Sequence, residues 1–153
     1  ANIPKIYDAF PRKNFEIGEG EALFDGDDVT LLALGSMVEQ ACKAHAFLRK
    51  EGVSARVVNM RFARPLDEQL ILDSVKKTKS IFTLEEHVGT GGFGSKVLEF
   101  LEEKGLLNVP FKRLALPDEF IEHGSRDVQL EEYGLSAEKI TAAVLKELGR
   151  VAK

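Results

Sequence analysis

The chain has 153 residues, 44% of them hydrophobic and 30% charged, with a formal net charge of −4. That is one domain's length, enough to bury a sizeable core, and its interspersed acidic and basic residues argue against the one-signed basic face that nucleic acid requires. No apolar run approaches the roughly 20 residues of a membrane span, no signal peptide is expected, and a single cysteine makes no internal disulfide, so a reducing cytosol is the expected compartment.

Residues 1–20 carry Pro4, Pro11, Gly18 and Gly20 without clean periodicity and read as an N-terminal arm or interdomain linker. The chain opens at Ala1 with no methionine, which is consistent with a processed or excised segment. The domain proper is expected over 21–153. Glu21 to Phe24 reads as a short strand, and Gly26-Asp27-Asp28 as a turn. VTLLAL (29–34) is a continuous apolar run, the mark of a strand buried on both faces. Ser36 then suits the N-cap of a helix reaching about Lys50, with Val38, Ala41, His45 and Leu48 on one stripe and Gly52 as its stop. VSARVVNM (53–60) is the next strand. RFARPLDEQ leads into a helix holding Leu70, Ile71 and Val75, opened by Pro65 or capped by Asp67.

SIFTLEE (80–86) is a third buried strand, followed by a glycine loop and a helix over about 93–104 with Val97, Leu98 and Leu101 inward. FKRLAL (111–116) is a fourth strand, LPDEFIEHGSRD a loop, and Ser136 the cap of a last helix through Ile140, Val144 and Leu148. Repeated strand–helix alternation predicts parallel βαβ units. The fold class is therefore α/β: three layers, α/β/α, around a mostly parallel five-stranded sheet. The strand at 21–24, joined to the next by a tight turn, adds antiparallel at an edge or leaves for another position. The main strands are expected in the order 53–60, 29–34, 80–86, 111–116.

Gly89, Gly91 and Gly94 have the G-x-G-x-x-G spacing of a dinucleotide cradle, and Asp118 follows at a tempting distance. Against that reading, Glu85, Glu86, His87 and Val88 separate the apolar strand from Gly89, and two carboxylates would repel a pyrophosphate. Glycines that permit a tight turn and close helix packing are the favoured alternative. Glu85 and Glu86, with Arg61 and Arg64 at another strand end, suggest acid–base chemistry or, preferably, ion pairs between strand ends or contact with a partner domain. His45 reads as a packed core histidine. His87 and His123 lie in loops without metal spacing, so no metal site is expected. Cys42 reads as an inert buried thiol, and Ser36 lacks the second glycine of a nucleophile elbow. Open parallel sheets bind ligands where strand order reverses. That places a crevice at Gly35, Ser36, Glu86, His87, Gly91 and Gly92, where a small regulatory anion could sit at a helix N-terminus.

Four stretches in order, GDDVTLLALGSMV, VVNMRFARPLDEQLI, TLEEHVGTGGFGSKVLEFL and LPDEFIEHG…LEEYGLSAEKI, resemble the C-terminal domain of transketolase-type thiamine-diphosphate enzymes. Within that group they are most similar to the 1-deoxy-D-xylulose-5-phosphate synthases, over about residues 11–148. The resemblance implies condensation of pyruvate with glyceraldehyde 3-phosphate with loss of CO2, on thiamine diphosphate and Mg2+ in the full-length enzyme. The product feeds isoprenoid, thiamine and pyridoxal routes. The family's GDG…NN cofactor motif and its glutamate-bearing domain are not among these residues. No cofactor and no catalytic residue is therefore expected in this piece, whose partners would be the remaining domains of the same enzyme in a homodimer. FPRKN (10–14) resembles the family's Y-P-R-G-N stretch, so Arg12 inherits a role on the substrate phosphate. Phe10 and Lys13 depart from the pattern, and Lys13 could add a second positive charge. The competing readings are the C-terminal domain of a transketolase or a 2-oxoacid dehydrogenase beta-type subunit, a free-standing nucleotide-binding or interaction module, and a ligand-free oligomerisation module.

Overall fold

The computed structural model describes residues 10, 13–120 and 124–150. Five strands, β1 (Glu21–Phe24), β2 (Val29–Ala33), β3 (Ala55–Asn59), β4 (Ile81–Val88) and β5 (Phe111–Leu116), form one sheet in the order β1-β3-β2-β4-β5. The β3, β2, β4 and β5 neighbours pair in parallel, whereas β1 pairs antiparallel with β3. The short first strand thus takes the edge position. The turn at 25–28 leads from β1 to β2, yet the two do not pair: β3 inserts between them, parallel to β2 and antiparallel to β1.

Helices α1 (Met37–Lys50), α2 (Glu68–Lys77), α3 (Phe93–Glu103), α4 (Arg126–Glu132) and α5 (Ala137–Glu147) cover both faces. Alternation along the strands divides the core in two. Val29, Leu31, Ala33, Val57, Phe82 and Leu84 pack against α1, α4 and α5. Leu32, Val58 and Ile81 pack under α2 and α3, where Ile71, Phe93, Val97, Phe100 and Leu101 close the opposite layer. Every residue of β2 and β3 is buried, as the apolar run of β2 requires; in β3 that includes Arg56 and Asn59.

Several local expectations are corrected. Ser36 occupies the N-cap position of α1 but makes no side-chain cap; it is itself in the right-handed region, and its hydroxyl is used elsewhere. Asp67, rather than Pro65, starts α2, its Oδ1 accepting from Leu70 N at 3.0 Å. Leu98 is half-buried while Phe100 takes the inward place on α3. Arg126 and Asp127 belong to a helix, α4, that the loop assignment overlooked, capped by Ser125 Oγ accepting from Val128 N. His45 is not sealed in the core; it is half-buried, its ring stacked on Phe24 at 4.2 Å and its Nδ1 2.8 Å from Ala55 O. Cys42 is buried, and burial pushes its thiol up to about 11, so it is inert as expected.

Candidate functional site

The carboxyl ends of β2 and β4 meet at the point where strand order reverses, the place where open α/β sheets hold ligands. Strand β4 runs on past its apolar part to Val88, so Glu85 and Glu86 are still on a strand and point to opposite faces. Each carboxylate therefore addresses a different helical layer.

Glu85 turns toward α3. It is only 2% exposed, and its Oε2 and Oε1 accept the amides of Phe93 at 2.7 Å and Gly94 at 2.8 Å. These are unsatisfied donors of a helix N-terminus, and a carboxylate there is favoured by the helix dipole as well. The loop's glycines make the contact geometrically accessible. Gly91 turns with φ 69°, and a Cβ on Gly92 would stand 2.5 Å from Glu85 Oε2 and 2.6 Å from Val88 O. The donors that a dinucleotide cradle would offer to pyrophosphate are thus bound to an anion of the chain itself.

Glu86 turns the other way. Its Oε2 accepts from Ser36 Oγ at 2.6 Å, and Arg126 donates to it from Nε at 3.0 Å and Nη2 at 2.8 Å. Partial burial pushes the Glu86 carboxyl up, but the Arg126 and Ser36 hydrogen bonds and the Arg126 charge together hold it below the usual carboxylate range. Of the expected crevice residues, Ser36 and Glu86 are therefore brought into contact. Gly35 and Ser36 are exposed beside Glu86, Gly92 belongs with Glu85, and Gly91 and His87 are exposed, His87 Nδ1 lying 3.3 Å from Val88 O.

The ion pairs anticipated among Glu85, Glu86, Arg61 and Arg64 form with other partners. Glu86 takes Arg126; Arg61 donates from Nη2 to Glu21 Oε2 at 2.5 Å; Glu85 takes backbone amides; Arg64 is exposed. Lys13 directs its ammonium toward Glu21 Oε1 at 3.5 Å. Arg12 and His123 lie outside the described residues. The sequence reading missed Arg126 and Glu21. The first had a signal, since Ser125 suits an N-cap and Asp127 the acidic first turn of a helix; the second had none.

Among the described residues, no group of three or more His, Cys, Asp or Glu side chains is arranged to hold a metal ion, and no helix is long and apolar enough to cross a membrane. Nor do the residues at the crevice fit a diphosphate. Both helix starts that face it meet a β4 carboxylate, and a bound diphosphate would have to displace or repel them.

Residues 18–140 match the family described as "Transketolase, C-terminal domain". Over 132 residues the chain is 48% identical to a 1-deoxy-D-xylulose-5-phosphate synthase of Heliobacterium modesticaldum, a match that spans 86% of this chain and 20% of that protein. Over 138 residues it is 45% identical to the synthase of Pelotomaculum thermopropionicum, spanning 90% of this chain and 22% of that one. The chain thus spans about a fifth of the length of the curated relatives it matches. Among solved structures, one described as a split gene transketolase, inactive beta4 tetramer, superposes with a TM-score of 0.82 at 40% identity, over 90% of this chain and 44% of that one. A transketolase from Campylobacter jejuni superposes with a TM-score of 0.63 at 20% identity, covering 84% of this chain and 18% of that one, a likeness of fold.

Proposed function

The chain belongs to the transketolase C-terminal domain family, and from that premise we propose that it is the C-terminal domain of a 1-deoxy-D-xylulose-5-phosphate synthase. Such a synthase joins pyruvate to glyceraldehyde 3-phosphate with loss of CO2, in the cytosol and as a homodimer. Bound in other domains of that enzyme, thiamine diphosphate with Mg2+ supplies the carbanion chemistry; this lobe supplies none of it. The carrying observation is identity of 48% and 45% to two such synthases across nearly the whole of this chain. The geometry agrees with a supporting role. The two carboxylates best placed for acid–base work are bound to a helix start and to an arginine, so neither is free to act as a base.

In this reading Arg12 receives the phosphate of the aldehyde substrate, a task that suits a planar guanidinium fork. The surrounding arm also borders an open cleft of about 560 Å3 between residues 14–19 and 66–68.

The test is reconstitution. Joined to the thiamine-diphosphate domains of the Heliobacterium enzyme in place of the segment it matches, this chain should restore condensation of pyruvate with glyceraldehyde 3-phosphate. Restored transfer of a two-carbon unit from a ketose phosphate, with no use of pyruvate, would instead identify a transketolase. A second reading is favoured by one observation, the 40% identity to a split gene transketolase: the lobe is a separately made subunit. Complex formation between the unlinked chain and the remaining domains, measured by sedimentation, distinguishes the two.

A further inference from the structure

Of the two edges of the sheet, one is taken by the antiparallel β1 and the other by β5, which is parallel to β4. Strands of a parallel sheet are ordinarily buried on both faces, and β2 is buried throughout. In β5 no residue is buried: Lys112 and Arg113 are exposed and the other four are half-buried. The ladder to β4 fixes which of its backbone groups remain open. Ile81 N donates to Pro110 O at 2.9 Å, and Gly89 N to Leu116 O at 3.2 Å. Inward-bonding residues alternate along a parallel strand. The amides and carbonyls of Phe111, Arg113 and Ala115 therefore point away from the sheet, a row of donors and acceptors open to a further strand.

Beside that edge, on the side of α5, lies an open pocket of about 310 Å3 lined by Phe82, Lys112, Leu114, Ala143, Lys146 and Glu147. An edge strand with a pocket between it and a helix suits an extended peptide that adds as a strand: main-chain hydrogen bonds hold it, and alternate side chains enter the pocket. Charge narrows the choice of peptide. Lys112 has a carboxylate, Glu147, at 3.4 Å. Arg113, on the face of α3, donates to the neutral oxygens Ser95 Oγ at 2.7 Å and Gly89 O at 3.3 Å. Neither Arg113 nor Lys146 has a carboxylate partner among the described residues, so in a chain of net charge −4 this edge is locally basic. A second copy paired antiparallel about the middle of β5 would bring two Lys112–Arg113 pairs together, which like charges oppose. The arm enters at β1, the opposite edge, roughly 19 Å away across four strand spacings, which leaves the β5 edge clear of it.

We propose that β5 is a docking edge for an extended segment of a separate protein that alternates carboxylate and apolar residues. The apolar residues enter the pocket beside α5, and the carboxylates meet Arg113 on the other face. The proposal goes beyond the reading of the whole enzyme and does not depend on which reaction that enzyme performs.

A capped hexapeptide alternating glutamate and valine, titrated into the 153-residue chain and followed by amide NMR, tests this. With the peptide at about ten times its Kd, the amides of Phe111, Arg113 and Ala115 should exchange at least about fivefold more slowly. Those of Lys112 and Leu114, already in the ladder to β4, should stay within about twofold. Arg113→Glu should weaken binding at least about tenfold and Lys146→Glu at least about threefold. Lys146 is exposed, so its variant reads the docking charge even where Arg113→Glu disturbs the glycine loop. The same peptide with lysine in place of glutamate should not bind. Absence of any shift up to about 5 mM peptide, equal binding of the lysine peptide, or binding that leaves the three outward amides unprotected would overturn the proposal. Protection of those amides without peptide, rising with the concentration of the chain, would overturn it too, because the edge would then belong to a second copy.

Discussion

Glu85 shows how a single side chain changes the meaning of a motif. Its carboxylate meets two amides at the start of α3 in a site from which water is nearly excluded. Hydrogen bonds to a charged group contribute about 1.5–3 kcal/mol each, and deleting the acceptor leaves both donors buried without a partner. Glu85→Ala is therefore expected to destabilise the chain by about 3 kcal/mol, a fall of roughly 6–12 °C in Tm at this size. Glu85→Gln, which keeps one acceptor oxygen but turns an amide NH2 toward the second donor, should lie between. Calorimetry decides, and a loss below about 0.5 kcal/mol for Glu85→Ala would show that the carboxylate is not what holds the loop. Because the carboxyl is a cap, the glycine spacing that invites a dinucleotide reading is explained by packing: Gly92 leaves no room for a Cβ beside Glu85.

At the scale of elements, the Ser36–Glu86–Arg126 contact ties three segments together: the start of α1, the end of β4 and the first turn of α4. The tie is half exposed, so its contribution is screened and amounts to about 0.5–1 kcal/mol. Its pH dependence has a definite sign. Glu86 has a folded carboxyl held below its unfolded value, so its stabilisation is fully present above the unfolded pKa, near 4.3, and is lost as pH falls through the folded pKa. The stability difference between the parent and Arg126→Ala should accordingly be constant at neutral pH and shrink progressively below about pH 4. Chemical denaturation of both proteins across that range measures it. A difference that grew on acidification would refute the assignment of Arg126 as the partner. The short α4 leans on this tie and on Leu130, its buried residue, so α4 should be the first helix to exchange its amides in Arg126→Ala.

On the scale of the whole molecule, the sheet is complete and both faces are covered, yet the crevice at its switch point is furnished with the chain's own anions. The lobe alone is accordingly expected to show no calorimetric binding of thiamine diphosphate with Mg2+ at millimolar concentrations. Tight binding by these 153 residues would remove the reading of an accessory lobe. Much of this architecture was legible beforehand. The continuous apolar run at 29–34 identifies a strand buried on both faces, 53–60 reads as the next strand, and the four-stretch resemblance points to the family that residues 18–140 match. Those signals are local: hydrophobic periodicity, turn glycines and caps act within a few residues, and a one-dimensional string preserves them. The partners of its charges were not legible in that way. Glu86 meets Arg126 and Arg61 meets Glu21, each across 40 residues, while Glu85 reaches amides of the next helix. Such pairings depend on which strands lie side by side and on which face each side chain leaves a strand, so they exist only once the sheet order is assembled, and the tertiary structure alone decided them.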